Sequence, residues 1–202
     1  EYTFENADYE SKFKHISEMT ILTVRLIVEF SKRLPGFDTL LREDQITLLK
    51  ACSSEVMMLR SARRYDIQSD CIVFANNHPY SRSNYIAAGL SDTANELFNF
   101  CRRLCLMQVD NAMYALLVAI VTFSDRPNLA EPKKVEKILD IYVQALRTYA
   151  EAKRANPGIV FAKLLSLLPE LRTLGVLNSE MCFSLKLRNT KFPPFLAEIW
   201  DI

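Results

Sequence analysis

Phe30-Ser31-Lys32-Arg33-Leu34-Pro35-Gly36-Phe37-Asp38-Thr39-Leu40-Leu41-Arg42-Glu43-Asp44-Gln45-Ile46-Thr47-Leu48-Leu49 is the stretch from which the fold can be read. It joins the end of one helical pattern to the start of another. Upstream, apolar residues recur at helical spacing through Ile16, Met19, Leu22, Leu26, Ile27 and Phe30. Leu34-Pro35-Gly36-Phe37 stops that pattern, because proline removes a donor and glycine supplies turn freedom. After a short amphipathic turn, a second long helix is expected from roughly Glu43 to Arg64. Its middle (Leu48, Leu49, Val56, Met57, Met58, Leu59) is apolar nearly all round, which marks a helix buried on most faces.

Working outward, the opening residues to about Glu10 are acidic and aromatic and show no clear period. Cys71-Ile72-Val73-Phe74-Ala75 is a short apolar run before the turn-like Asn76-Asn77-His78-Pro79-Tyr80, so residues 67–86 read as a small hairpin. Helices are expected again at about 91–107, 110–124, 132–154 and 159–187. Pro132 suits a helix start, and Pro169 is a candidate kink in the last of them. Pro193-Pro194 leads into a short amphipathic helix. With no repeat and no linker, the chain reads as one all-α domain over residues 1–202, with a small β-hairpin inserted.

The chain has 202 residues, half of them hydrophobic, and a net charge of +1. That is enough apolar material for a substantial core, and it lacks the basic excess of a nucleic-acid surface. Starting at Glu1 without a Met and ending at Ile202, it reads as a fragment of a larger protein. Five scattered cysteines, an odd number without disulfide-like spacing, suit a reducing compartment. Cys101 and Cys105 are four apart, but His15 and His78 are distant in sequence, so buried thiols are a better reading than a zinc site. No apolar run is long enough to span a membrane.

Catalytic constellations are missing. Two histidines leave little room for a triad, and Gly36, Gly89, Gly158 and Gly175 form no phosphate loop. Glu43-Asp44 and the Glu198/Asp201 pair are explained by surface polarity or helix capping. Neither a catalytic group nor a metal is assigned, and a binder is the better reading.

Three features can stud an apolar cavity with polar groups. Thr20 and Thr23 share one face of a helix, although such threonines often only bond the preceding turn's carbonyl. Arg60 follows Met57-Met58-Leu59 in the most buried-looking helix, where a guanidinium needs a partner or a ligand oxygen; spacing to Arg63 also allows it to lie at the wet end. Tyr85 follows the hairpin, and cores also bury tyrosine with its hydroxyl tethered. Met19, Met57, Met58 and Met181 suit an adaptable lining. At the end of the chain, Phe195, Leu196, Ile199 and Trp200 form one apolar face of a helix too short to stand alone. It must dock on the body, permanently or conditionally.

Phe30-Ser31-Lys32, Phe37, Leu40, Asp44-Gln45 and Leu48-Leu49 resemble the signature of nuclear-receptor ligand-binding domains. Phe195-Leu196-Ala197-Glu198-Ile199-Trp200 is similar to that family's activation helix. Within the family, Glu18 to Val24, Ala51 to Arg60 and Asn178 to Cys182 are most similar to the branch that binds insect moulting hormones. The family's first helix is not recognisable before residue 10, and its zinc-bearing DNA-binding domain is absent from the chain.

The resemblance implies a three-layer antiparallel helical sandwich around an ecdysteroid such as 20-hydroxyecdysone or ponasterone A, with synthetic nonsteroidal agonists as further ligands and no cofactor. It implies that Thr20 and Thr23 meet nuclear hydroxyl and ketone groups, and that Arg60 and the Ala75 backbone hold the A-ring end. Tyr85 would reach a side-chain hydroxyl, with Asn178 and Trp200 near the mobile helix. Lys32, Lys50 and Glu198 would grip a leucine-motif coactivator helix at its two dipole ends. Glu55 and Arg126 match the marks of receptors that heterodimerise, here with ultraspiracle, the insect retinoid X receptor homologue. Helix 159–187 would supply much of that interface, with contributions from the preceding helix; Leu164, Leu167, Leu171, Leu174 and Leu185 could supply apolar contact, and periodicity does not divide them between core and interface. The expected location is the nucleus. The competing reading is an all-helical structural or adaptor module with a filled interior and no hormone.

Overall fold

The computed structural model describes residues 4–74, 76–188 and 190–202. Two long helices, α1 (Tyr9–Lys32) and α2 (Arg42–Arg63), lead into three short strands, β1 (Tyr65–Asp66), β2 (Cys71–Val73) and β3 (Pro79–Ser81). The helices α3 (Arg82–Ala87), α4 (Ser91–Leu106), α5 (Asn111–Thr122), α6 (Pro132–Lys153), α7 (Pro157–Leu187) and α8 (Pro194–Ile199) follow. α2 runs through the middle and packs on α1, α4, α5 and α7, while α6 packs on α5 and α7. This is a layered helical sandwich with a small antiparallel sheet at one end.

Residues 30–49 form a corner in which most side chains have an internal task. Phe37 and Leu40 are buried in a cluster with Phe123 and Val135. Gln45 Nε2 donates to the carbonyls of Phe37 (3.2 Å) and Leu40 (3.0 Å), fixing the turn ahead of α2. Asp44 is fully buried, and its carboxylate accepts from the backbone N–H groups of Ala130 (2.7 Å) and Glu131 (2.9 Å). Surface polarity therefore does not describe it. Capping does, but the donors it satisfies open the distant helix α6, where the positive dipole end favours an anion.

α1 starts at Tyr9, inside the stretch that showed no period, because Asp8 accepts from the Ser11 N–H at 2.8 Å and caps it. The expected hairpin is β2–β3, and β1 adds a third strand, Tyr65 pairing with Ile72. Two residues are too few to show an alternation. α3 lies within the stretch read as hairpin; its signal was the reciprocal capping box of Ser81 and Asn84. α7 continues through Pro169, and the Thr173 hydroxyl donates to the Pro169 carbonyl at 3.1 Å.

All five thiols are free. Cys52, Cys101 and Cys182 are buried, and burial pushes the thiols of Cys52 and Cys182 up to about 12. They behave as small hydrophobes.

Candidate ligand-binding site

A cavity of about 340 Å³ lies between α1, the end of α2, the sheet, α4, α7 and α8. That volume is within the range of small-molecule sites. Met57, Met58 and Met181 contribute polarizable walls, as their composition suggested. Met19 does not: it stands outside the lining, and its carbonyl accepts the Thr23 hydroxyl.

Thr20 and Thr23 both face the cavity, yet each hydroxyl proton is already committed. Thr20 Oγ1 donates to Ile16 O at 2.8 Å and Thr23 Oγ1 to Met19 O at 2.9 Å. Their oxygens keep lone pairs, so toward a ligand they are acceptors. Both thus line the cavity and bond the preceding turn's carbonyls.

Arg60 lines the same space but is exposed, not buried as the helix pattern suggested. No burial penalty needs to be offset there. Among the described residues its guanidinium has no hydrogen-bond or ion-pair partner, in contrast to its neighbours. Arg63 is committed to Asn111 Oδ1, and Arg64 donates to the carbonyls of Val73 (3.2 Å) and Phe74 (3.4 Å) and to Asn77 Oδ1 (3.3 Å). Arg64 thereby fastens the sheet to the end of α2, leaving Arg60 as the cation turned to the cavity. Ala75, expected to offer its backbone, lies outside the described residues.

Tyr85 is buried, stacked on Phe74 and edge-on to Phe98, and its hydroxyl has no protein partner among the described residues. Burial, with smaller contributions from Cys101 and Tyr80, raises its pKa, so the phenol stays protonated and can donate. Asn178 is 3% exposed, and its amide nitrogen is buried without a hydrogen-bond acceptor among the described residues. Such a group costs about 1–3 kcal/mol while unsatisfied. Trp200 completes the wall; its indole N–H donates to Ser53 Oγ at 3.1 Å, which docks α8 on α2.

Phe13, Ser17, Thr93 and Phe192 also line the cavity and were not anticipated. Phe13 and Ser17 precede Thr20 at spacings of seven and three along α1, so the helical period could have found them. Thr93, by contrast, depends on how α4 meets α7: its hydroxyl lies 3.3 Å from Met181 Sδ.

Residues 6–188 match the family model described as the ligand-binding domain of nuclear hormone receptor. The chain belongs to this family. The receptor domain is 57% identical over 199 residues to the ecdysone receptor of Lucilia cuprina, covering 97% of this chain and 26% of that protein. It is 58% identical over 193 residues to the ecdysone receptor of Drosophila melanogaster, covering 94% of this chain and 22% of that protein. With the ecdysone receptor of Chironomus tentans the identity is 54% over 201 residues, 98% of this chain and 38% of that protein. The chain thus spans well under half of each relative's length. The family is one of ligand-regulated transcription factors, not of enzymes.

On the receptor domain's surface, Lys32 is exposed beside Glu29 (3.5 Å), and Lys50 pairs with Asp201 at 2.5 Å. Glu198 is exposed on α8. α1 leaves Leu22, Leu26 and Phe30 open to solvent, and α2 leaves Ile46 open. Glu55 and Arg126 are not surface marks: they form a buried bidentate ion pair, Arg126 Nη1 to Glu55 Oε1 at 2.7 Å and Nη2 to Oε2 at 2.6 Å. Gly175 lets α7 close over this pair, since a Cβ there would lie 3.2 Å from Glu55 Cγ and 3.3 Å from Ser54 Oγ. The α7 leucines, which no helical period divides between core and interface, belong to the core. Leu164, Leu167, Leu171, Leu174 and Leu185 are all buried, and the apolar residues that α7 exposes are Ile159, Val176, Phe183 and Leu187.

Proposed function

We propose that the receptor domain binds an ecdysteroid in this cavity and converts occupancy into the position of α8. The observation that carries the reading is an apolar cavity faced by polar groups that have no protein partner among the described residues: the exposed Arg60 guanidinium, the Tyr85 hydroxyl and the buried Asn178 amide nitrogen. A fused-ring steroid gains from buried apolar area, at roughly 25 cal/mol per Å². Its hydroxyls and ketone would satisfy the three groups, with Thr20 and Thr23 accepting, and analogues lacking those oxygens would leave buried polar atoms stranded. 20-Hydroxyecdysone and ponasterone A have this chemistry, and a nonsteroidal agonist would have to supply equivalent acceptors. The names of the relatives support the same ligand class. A side-chain-filled interior would have favoured an adaptor module; the open cavity counts against it.

The output follows the helix-in-groove mode. Lys32 and Lys50 would face the C-terminal carbonyls of a leucine-motif coactivator helix and Glu198 its N-terminal amides, in the nucleus. Lys50 would have to exchange Asp201 for the peptide, a small cost for an exposed pair. Ultraspiracle would dock along α7 over Val176, Phe183 and Leu187, while the Glu55–Arg126 pair stiffens the layer behind.

The test is a titration of tritiated ponasterone A against the isolated chain and against its complex with the ultraspiracle ligand-binding domain. Saturable binding displaced by 20-hydroxyecdysone, and tighter in the complex, is the expected result. Absence of saturable binding to the folded complex would remove the ecdysteroid reading.

A further inference from the structure

A second cavity, of about 360 Å³, opens between α5, α6 and α7 and shares no lining residue with the first. It is as roomy as the candidate hormone site. Ile120 and Val121 of α5 form its buried side, and Leu139 and Val143 of α6 with Leu168 of α7 form half-buried walls. Water is held poorly on such a surface, because it needs several polar partners.

Most polar groups of the lining are already used. The Ser124 hydroxyl donates to the Ile120 carbonyl at 2.7 Å, and the exposed Arg172 donates to the Asp125 carbonyl at 3.0 Å. Glu55 is different: it is the buried charged residue of the lining. Its carboxylate offers about four acceptor positions, and the two bonds from the Arg126 Nη atoms leave the others unspent. Arg126 in turn keeps a buried Nε–H that has no acceptor among the described residues. The ion pair is balanced in charge and incomplete in hydrogen bonds.

The group that would complete it is narrowly defined. An entering carboxylate would meet Glu55 and an entering ammonium would meet Arg126, so either charge faces a like one. A hydroxyl carries a donor and acceptor lone pairs without a charge. Joined to an apolar body, it gains from the walls as well.

We propose that this cavity is a second ligand site, for an uncharged molecule with an apolar body and a hydroxyl. The body lies against Ile120, Leu139, Val143 and Leu168, and the hydroxyl donates to Glu55. Once bound, the molecule fills the space between the outer helices and stiffens the layer behind the exposed face of α7. The site is independent of what the first cavity takes.

The chain, with its Ile, Leu and Val methyl groups isotope-labelled for NMR, is titrated with three probes of one shape. These are para-butylphenol, para-butylanisole, in which the donor is blocked, and para-butylbenzoate, which is anionic. Methyls of Ile120, Leu139, Val143 and Leu168 report this cavity, and those of Ile16, Ile72 and Leu97 report the first. The expected result is saturable shifts of the former group, with para-butylphenol bound at least about fivefold more tightly than either control. Unmoved methyls in that group would overturn the site, and a control bound as tightly as the phenol would overturn the hydroxyl. Val143→Phe fills the space from α6 and Leu168→Phe fills it from α7, so one serves if the other misfolds. Each should weaken the phenol at least about tenfold. Unchanged affinity in a folded variant would put the probe elsewhere and overturn the proposal. Adding the ultraspiracle ligand-binding domain tests the rival occupant, a partner side chain. Retained phenol binding in the complex is expected; its loss would give the cavity to the interface and overturn the small-molecule site.

Discussion

Two arginines of the receptor domain, Arg126 and Arg60, show how differently one residue type can be used. Arg126 is 8% exposed and clamped bidentate on Glu55, with a further bond to Val121 O at 3.3 Å. Burial alone would lower its pKa, but the bonds to Glu55 and its charge reverse the direction, so Arg126 stays charged. Arg60 stands on the cavity wall, open to solvent and without a hydrogen-bond or ion-pair partner among the described residues. A buried charge that is paired within the chain holds the chain together. A polar group whose bonds are left open toward a void is set aside for something else.

Each arginine offers a way to break that distinction. Glu55→Ala strands the buried Arg126 charge and should cost about 3–5 kcal/mol of folding stability, read as a shift in the urea midpoint at unchanged slope. A loss below about 1 kcal/mol would show that the pair is solvated and the contrast false. Arg60→Ala should weaken 20-hydroxyecdysone by at least about tenfold, close to 1.4 kcal/mol, while moving stability by no more than about 0.5 kcal/mol. Unchanged hormone affinity in the folded variant would sink the Arg60 assignment.

Smaller effects sharpen the comparison. Because the Tyr85 hydroxyl has no protein partner among the described residues, Tyr85→Phe should leave thermal stability unchanged or slightly higher. It should weaken a steroid that bonds the hydroxyl by about 0.5–1.5 kcal/mol. A stability loss would reveal a hidden internal partner. Smallest of all, Asp201→Ala should change stability by less than about 0.5 kcal/mol, since its bond to Lys50 is exposed. Lys50→Glu should cut leucine-motif peptide binding with hormone affinity largely intact; parallel losses of both would point to a damaged fold.

The fold was legible where sequence pattern and local physics coincide. Helical period found the long helices, and Pro35-Gly36 found the corner between α1 and α2. β1 and α3 escaped because each is shorter than the window in which a period can be seen. The site was legible in identity more than in state. Thr20, Thr23, Tyr85 and Asn178 could be picked out by residue type, spacing or family resemblance, but whether a hydroxyl is already spent depends on which carbonyl lies within reach. For Arg60 the sequence allowed both a buried and a wet position, because apolar neighbours along a helix say nothing about the empty space beside it. The α7 leucines stayed open for a different reason: a helix with apolar residues on all sides gives no period by which to divide core from interface.

The bonds from Arg64 to Val73, Phe74 and Asn77 have a pharmacological consequence. They make the sheet end of the cavity stiff, since it is tied to the same helix that carries Arg60. The opposite end is bounded by a six-residue helix on a diproline tether. A ligand would then meet an unyielding wall at one end and a compliant one at the other. Groups placed against the first would tune potency, and groups placed against the second would tune efficacy, so a tight-binding compound with little output becomes chemically accessible.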